Sequence, residues 1–226
     1  MMIRQRIRIR FSKLGRLKFI GHNDLLRTLE ALFRRARLPL AMSNGFHPKV
    51  RMSFPTALAL GYESTDEVLE LEMHDSAEPM DIDVLLADLN RQSLEGLRFL
   101  SARLLKEGET KACLAASVFQ MTVPPELRKQ TAEQIERFLA ESVLIVTKSN
   151  GKPVDVRSAV VQIIFDEPSG ELTVELQTQA GPEAGIKEVL SVLELKQELF
   201  VTLFPKRIHC RLVDEDKNLA DARIPL

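Results

Sequence analysis

The sequence predicts an α+β fold made of two split β-α-β units in tandem, each with an antiparallel sheet. Three observations carry this expectation. Runs at 3–11, 66–74, 97–105, 113–123, 143–148, 156–165, 171–178 and 206–213 read as strands, the clearest by strict apolar–polar alternation. Stretches of helical period at 22–37, 81–92, 125–141 and 183–193 fall between them. The order β-α-β-β-α-β over residues 3–106 recurs after the polar break KEGETK at 106–111. That order is the ferredoxin-like arrangement. It places a basic domain at 1–108, a second domain at 109–214 and a tail at 215–226.

The elements follow in chain order. In IRQRIRIRF, Ile7, Ile9 and Phe11 alternate with Arg6, Arg8 and Arg10, and Arg4 is in phase. One face of this strand is apolar and the other is arginine. A loop with Gly15 leads to the first helix, which Asn23 or Asp24 can cap. Leu25, Leu29, Leu32 and Ala36 form its apolar stripe, and Pro39 stops it. LPLAMS, the Asn44-Gly45 turn and KVRMSF suggest a hairpin, which Pro48 complicates. DEVLELEMH alternates acids with apolar residues and gives the next strand. In the second half, Pro124-Pro125 precedes the long amphipathic helix.

Several classes are excluded by absence. The sequence has no Walker loop, no G-x-G-x-x-G, no G-x-S-x-G, no H-E-x-x-H and no C-x3-C-x2-C run. The two cysteines, Cys113 and Cys210, have no partner at metal-ligand spacing beyond His209. Both are expected to be buried free thiols in a reducing compartment. No metal and no cofactor are expected. The N-terminal residues lack an apolar signal-peptide core, and no run approaches the roughly 18 apolar residues of a membrane span. A cytoplasmic protein without a membrane partner is the expectation.

The net charge of −1 conceals an asymmetry. Residues 1–54 hold 13 lysines and arginines against two acids, a balance of +11; the 18 basic and 30 acidic residues of the remainder give −12. Such a distribution points to RNA or another polyanion. Complementary packing within the fold is the alternative. On the first strand, same-face arginines lie about 7 Å apart, close to the spacing of phosphates along a single strand. Asp66, Glu67, Glu70 and Glu72 offer them cross-strand partners instead.

Two polar segments accompany this strand. SNGFHPKVRMSF combines a glycine turn, an aromatic and two cations, so Asn44, Phe46, His47, Lys49, Arg51 and Ser53 are candidate anion-binding or base-stacking residues. An ordinary loop with Phe46 and Phe54 tucked into the core is the other reading. Gly21-His22-Asn23-Asp24 with Arg27 marks a helix start, where His22 and Asp24 are candidate catalytic groups for RNA chemistry. A capping Asp24 beside a surface His22 is the structural alternative. The candidate RNA-contacting set comprises Arg4, Arg6, Arg8, Arg10, Lys13, Arg16, Lys18 and Arg27 together with the 44–53 residues.

Over residues 11–64 the chain resembles the radical-SAM-linked protein family, whose members occur alone or fused behind radical-SAM modules and have no assigned function. The G-H-x-D-x-x-R stretch falls on Gly21, His22, Asp24 and Arg27, and G-F-x-P on Gly45, Phe46 and Pro48. Family members often carry Leu at the position of Asn23 and Asn at that of His47. The resemblance implies a partner radical-SAM protein in trans, acting on RNA or the translation machinery. The expected function is an RNA-binding or substrate-presenting accessory. An RNA-processing or RNA-modifying enzyme using His22 and Asp24, or a protein-interaction module with a basic docking face, are the alternatives.

Overall fold

The computed structural model describes residues 4–74, 80–178, 184–196 and 203–213. The chain is mixed α+β with a largely antiparallel sheet, and it divides into two compact units after Cys113, where the composition suggests a break at 108.

The first unit contains β1 (Arg4–Lys13), a 3-10 turn (Gly15–Phe19), α1 (His22–Arg35), β2 (Met52–Ser53), β3 (Glu63–His74), α2 (Ile82–Gln92) and β4 (Leu97–Leu104). β1 pairs antiparallel with both β3 and β4, and β2 pairs antiparallel with β3, so the strand order is β4-β1-β3-β2. The alternation read in β1 sets its two faces. Ile7, Ile9 and Phe11 are buried with Leu69, Leu71 and Met73 of β3, beneath Leu25, Leu29, Leu32 and Phe33 of α1 and Leu85 and Leu89 of α2. Each such fully buried side chain contributes about 1.5–3 kcal/mol. Ala36, expected in the stripe of α1, is its half-buried C-cap, and Phe33 takes the buried place.

Local chemistry positions the helices. Asp81 caps α2 by accepting from the Asp83 and Val84 amides. Asn90 then clamps α2 to β4, its side chain donating to Phe99 O at 2.9 Å and accepting from Phe99 N at 2.8 Å. α1 starts differently from the sequence expectation: Gly21 is the N-cap, and neither Asn23 nor Asp24 serves. The expected hairpin at 39–54 reduces to the bridges Leu40↔Met73 and Met42↔Val50 plus the two residues of β2. Pro39 and Pro48 lack the amides a longer ladder needs.

The second unit contains β5 (Leu114–Thr122), α3 (Arg128–Ala140), β6 (Ile145–Thr147), β7 (Pro153–Asp155), α4 (Val156–Ala159), β8 (Val160–Asp166), β9 (Glu171–Gln177), α5 (Ile186–Val192) and β10 (Lys206–Leu212). β5 pairs with β10 and β9, and β9 with β8, all antiparallel. The order β10-β5-β9-β8 repeats that of the first unit, with the β6–β7 hairpin and α4 inserted before the second strand. The insertion splits the strand expected over 156–165. Asp155 ends β7, accepts from the Leu144 and Arg157 amides and nucleates the turn of α4. Those bonds, Leu144's foremost, hold its carboxyl below the usual aspartate value. The helix expected from 125 opens as a 3-10 turn at Pro125–Leu127. Cys210 is buried as expected, whereas Cys113 is exposed just before β5. The expected tail at 215–226 lies outside the described residues. Among the described residues no helix is long and apolar enough to cross a membrane.

Gly96 precedes β4 with φ +86°, and its carbonyl accepts from Leu14 N at 2.8 Å. A Cβ there would run into the Leu14 carbonyl. Gly96→Ala is therefore expected to lose about 1–3 kcal/mol in urea unfolding, whereas Gly108→Ala, with open space around it, loses less despite a similar φ.

Candidate nucleic-acid interface

Arg6, Arg8 and Arg10 of β1 are built into the protein rather than presented to solvent. Arg8 lies opposite Glu70 in the β1–β3 register, and the two side chains are 3% and 4% exposed. Arg8 Nε donates to Glu70 Oε1 at 3.0 Å, with Nη2 2.9 Å from the same oxygen. Arg6 Nη1 stands 3.7 Å from the second oxygen of Glu70. Arg10 Nη1 donates to both oxygens of Asp66 at 2.6 Å. Cross-strand carboxylates thus take the place proposed for phosphates.

The segment after β4 completes this cover. Leu105 N donates to Arg6 O at 2.8 Å, Arg6 Nη2 donates to the Glu109 carbonyl, and Ala112 N donates to Glu70 Oε1 at 2.9 Å. The Glu109 carboxylate accepts from Lys106 N at 2.7 Å and from Arg103 Nη1 at 2.8 Å. These bonds, the Lys106 amide's first, hold its carboxyl below the ordinary 4.5. What the sequence presents as a polar break is a strap folded over the charged side of the sheet.

Two phosphate-contact assignments are corrected by burial. Arg8 is enclosed with Glu70, and Lys13 is buried with Nζ 3.4 Å from Ile20 O. Arg6 and Arg10 are largely buried in ion pairs. The Arg4 backbone pairs opposite His74, and its side chain lies outside the described residues. Arg51 bonds Met42 O at 3.2 Å and Glu72 at 3.3 Å, and Ser53 sits in β2 opposite Glu70.

The cations that do reach solvent lie in turns and on α1. Arg16 is exposed in the 3-10 turn, whereas Lys18 is as covered as Arg6 and lies 5.3 Å over the Phe19 ring and 4.0 Å from Glu63. Arg27 is exposed and pairs with Asp24 at 3.3 Å. His22 is half-buried, edge-on to Phe54 at 5.2 Å, and Phe54 stands edge-on to Phe11 at 6.3 Å. The candidate catalytic pair is therefore divided, with Asp24 on a guanidinium and His22 on an aromatic stack.

The turn at 43–49 resolves the two readings of Phe46. Ser43 N donates to Lys49 O at 2.8 Å, and Lys49 N donates back to Ser43 Oγ at 2.9 Å. With the Met42↔Val50 bridge these bonds close the base of a finger. Gly45, at φ +140°, turns the chain in open space. Asn44, Phe46, His47, Pro48 and Lys49 are all exposed, and Phe46 at 103% is fully solvated, whereas Phe54 packs inward. Among the described residues the finger makes no hydrogen bond or ring contact with His22, Asp24 or Arg27. Its chemistry is a π-face beside an ammonium, an imidazole and an amide, which suits a base and its phosphate.

Sequence reading overlooked Phe19 and Leu60, both mostly exposed and joined through Gly61 N donating to Lys18 O at 2.8 Å. An aromatic directly after Lys18 in a glycine-bearing loop was the available signal. Among the described residues no cluster of three His, Cys, Asp or Glu is placed to hold a metal.

Comparison with known proteins gives one family. A family model described as an uncharacterized protein conserved in bacteria, DUF2344, matches residues 6–188. No match was found among curated proteins. A solved structure described as a candidate transcriptional repressor of the glycine cleavage system is similar at 9% identity, covering 93% of this chain and 98% of that one, with a TM-score of 0.24.

Glu70→Ala removes the enclosed carboxylate to which buried Arg8 donates and is expected to lose about 3–5 kcal/mol in chemical denaturation. Arg27→Ala, which opens an exposed pair, is expected to change stability by less than about 1 kcal/mol in the same measurement. The strap is also acid-sensitive. The Glu109 carboxyl is depressed in the folded chain, so its contribution is complete above the ordinary glutamate range and is lost as pH falls through the lowered value. The stability difference between wild type and Glu109→Gln should thus be constant near neutrality and shrink below pH 4.5 in unfolding curves taken across pH.

Proposed function

The chain belongs to an uncharacterised protein family conserved in bacteria, DUF2344, and we propose that it is a cytoplasmic RNA-binding accessory protein that presents RNA, or RNA of the translation machinery, to a radical-SAM enzyme acting in trans. The observation that carries this reading is the closed finger with Phe46 fully exposed between Asn44 and Lys49. A solvated phenyl ring on an ordered turn costs hydration free energy in the free protein. Stacking on a base removes that cost, and Lys49 and His47 lie within reach of the adjoining phosphates. Arg16 and Arg27 extend the cationic surface of the same unit, and the resemblance of the Gly21–Arg27 and Gly45–Pro48 segments to the radical-SAM-linked family supports the class of partner.

In this reading both units are ferredoxin-like domains in tandem, a view supported by the recurrent strand order. RNA contact comes from turns and not from the sheet face. A protein-docking role uses the same finger, and an enzymatic role for His22 and Asp24 has less support because Asp24 is engaged by Arg27.

Filter binding of single-stranded RNA across a salt series tests the proposal. Two to four phosphate contacts give a log–log slope of roughly −1.5 to −3. Phe46→Ala is expected to weaken binding by about 1–3 kcal/mol, the worth of one stacked base, with unfolding unchanged. Affinity indifferent to both salt and Phe46→Ala would overturn it.

A further inference from the structure

β8 lies at the edge of the second unit's sheet, with β9 on one side. Its sequence, VVQIIFD, carries one charge, at its last residue, and no proline. From Val161 to Phe165 the backbone makes no hydrogen bond beyond those to β9 among the described residues. Alternate N–H and C=O groups therefore point outward, with no partner among the described residues. Val161 is 50% exposed, Gln162 is exposed, and Ile163, Ile164 and Phe165 are each partly exposed. Edge strands of soluble proteins are ordinarily blunted by lysine, proline, inward charge or a covering loop. Among the described residues the one such device is the bulge between Val160 and Gln162, which leaves the ladder regular from Gln162 to Asp166.

We infer that β8 is a self-association edge, and that two copies of this chain pair antiparallel through it about a two-fold axis. The strand's composition selects this occupant. Antiparallel pairing is self-complementary, so each outward amide of one copy meets a carbonyl of the other. It also sets the exposed Asp166–Glu167 end of each strand against the uncharged start of its partner, whereas parallel pairing would set Asp166 against Asp166. An anionic ligand finds no cation on β8. This surface is independent of the RNA-binding finger, which lies in the other unit.

Light scattering during size exclusion, across a concentration series of the full chain, tests the inference. The expected result is a monomer–dimer equilibrium whose dissociation constant rises at least roughly tenfold in Val161→Lys/Ile164→Lys, with circular dichroism unchanged. A second measurement does not depend on that variant. In a Cys113→Ser background, where the remaining Cys210 is buried, single cysteines replacing Gln162, Ile163 or Ile164 are oxidised. Disulfide-linked dimer should form most at one position and decline to either side. A chain that stays monomeric and uncrosslinked, or a dimer that the lysines leave intact, would overturn the proposal.

Discussion

Glu70 neutralises Arg8 inside the first unit, draws Arg6 towards the same carboxylate and accepts the Ala112 amide. A guanidinium that far from water is tolerated only when a carboxylate shares its enclosure. β1 can therefore carry a row of arginines because β3 sets Glu72 opposite Arg6 and Glu70 opposite Arg8, with Asp66 reaching Arg10 from one diagonal step along the strand. The same register aligns Ile7 and Ile9 with Leu71 and Leu69 on the opposite side of the sheet. A shift of one residue would turn the apolar set to the ion-paired side of the sheet and the arginines into the apolar core, so core and ion pairs enforce a single alignment together.

This constraint changes the meaning of the basic N-terminal region. Thirteen cations lie within residues 1–54, yet Arg6, Arg8, Arg10 and Lys13 on β1 serve the fold. The cationic charge of this region that stays at the surface sits in the turns and on α1. Net charge along a chain thus overstates field at the surface wherever strand pairing matches opposite signs. The acids that balance β1 come from β3, some sixty residues on; they stand out in sequence as possible cross-strand partners, and the observed register pairs Glu70 with Arg8.

Element order was readable because it depends on local pattern. The alternation of β1 and the apolar stripe of α1 each report one buried face. Boundaries were less so. Gly21 caps α1 although Asp24 is the better intrinsic cap, and the strand expected at 156 begins as a helical turn because Asp155 ties down two amides. For the candidate site, the prominence of SNGFHP was visible in its residues, but the outward direction of Phe46 was not. That direction follows from Ser43 closing the turn behind it. The strap at 105–112 was least legible, since its role comes from contacts with Arg6 and Glu70 that no neighbouring residue announces.

The closed base of the finger has a thermodynamic corollary. A seven-residue loop that orders only on meeting its ligand subtracts the entropy of ordering from its affinity. Ser43 and Lys49 are already bonded to each other in the free chain. Much of that entropy is therefore given up during folding, and contact at the tip need restrict little beyond the two torsions of one phenyl ring. Under the proposed RNA contact, loosening the base without touching the tip would weaken recognition at a distance.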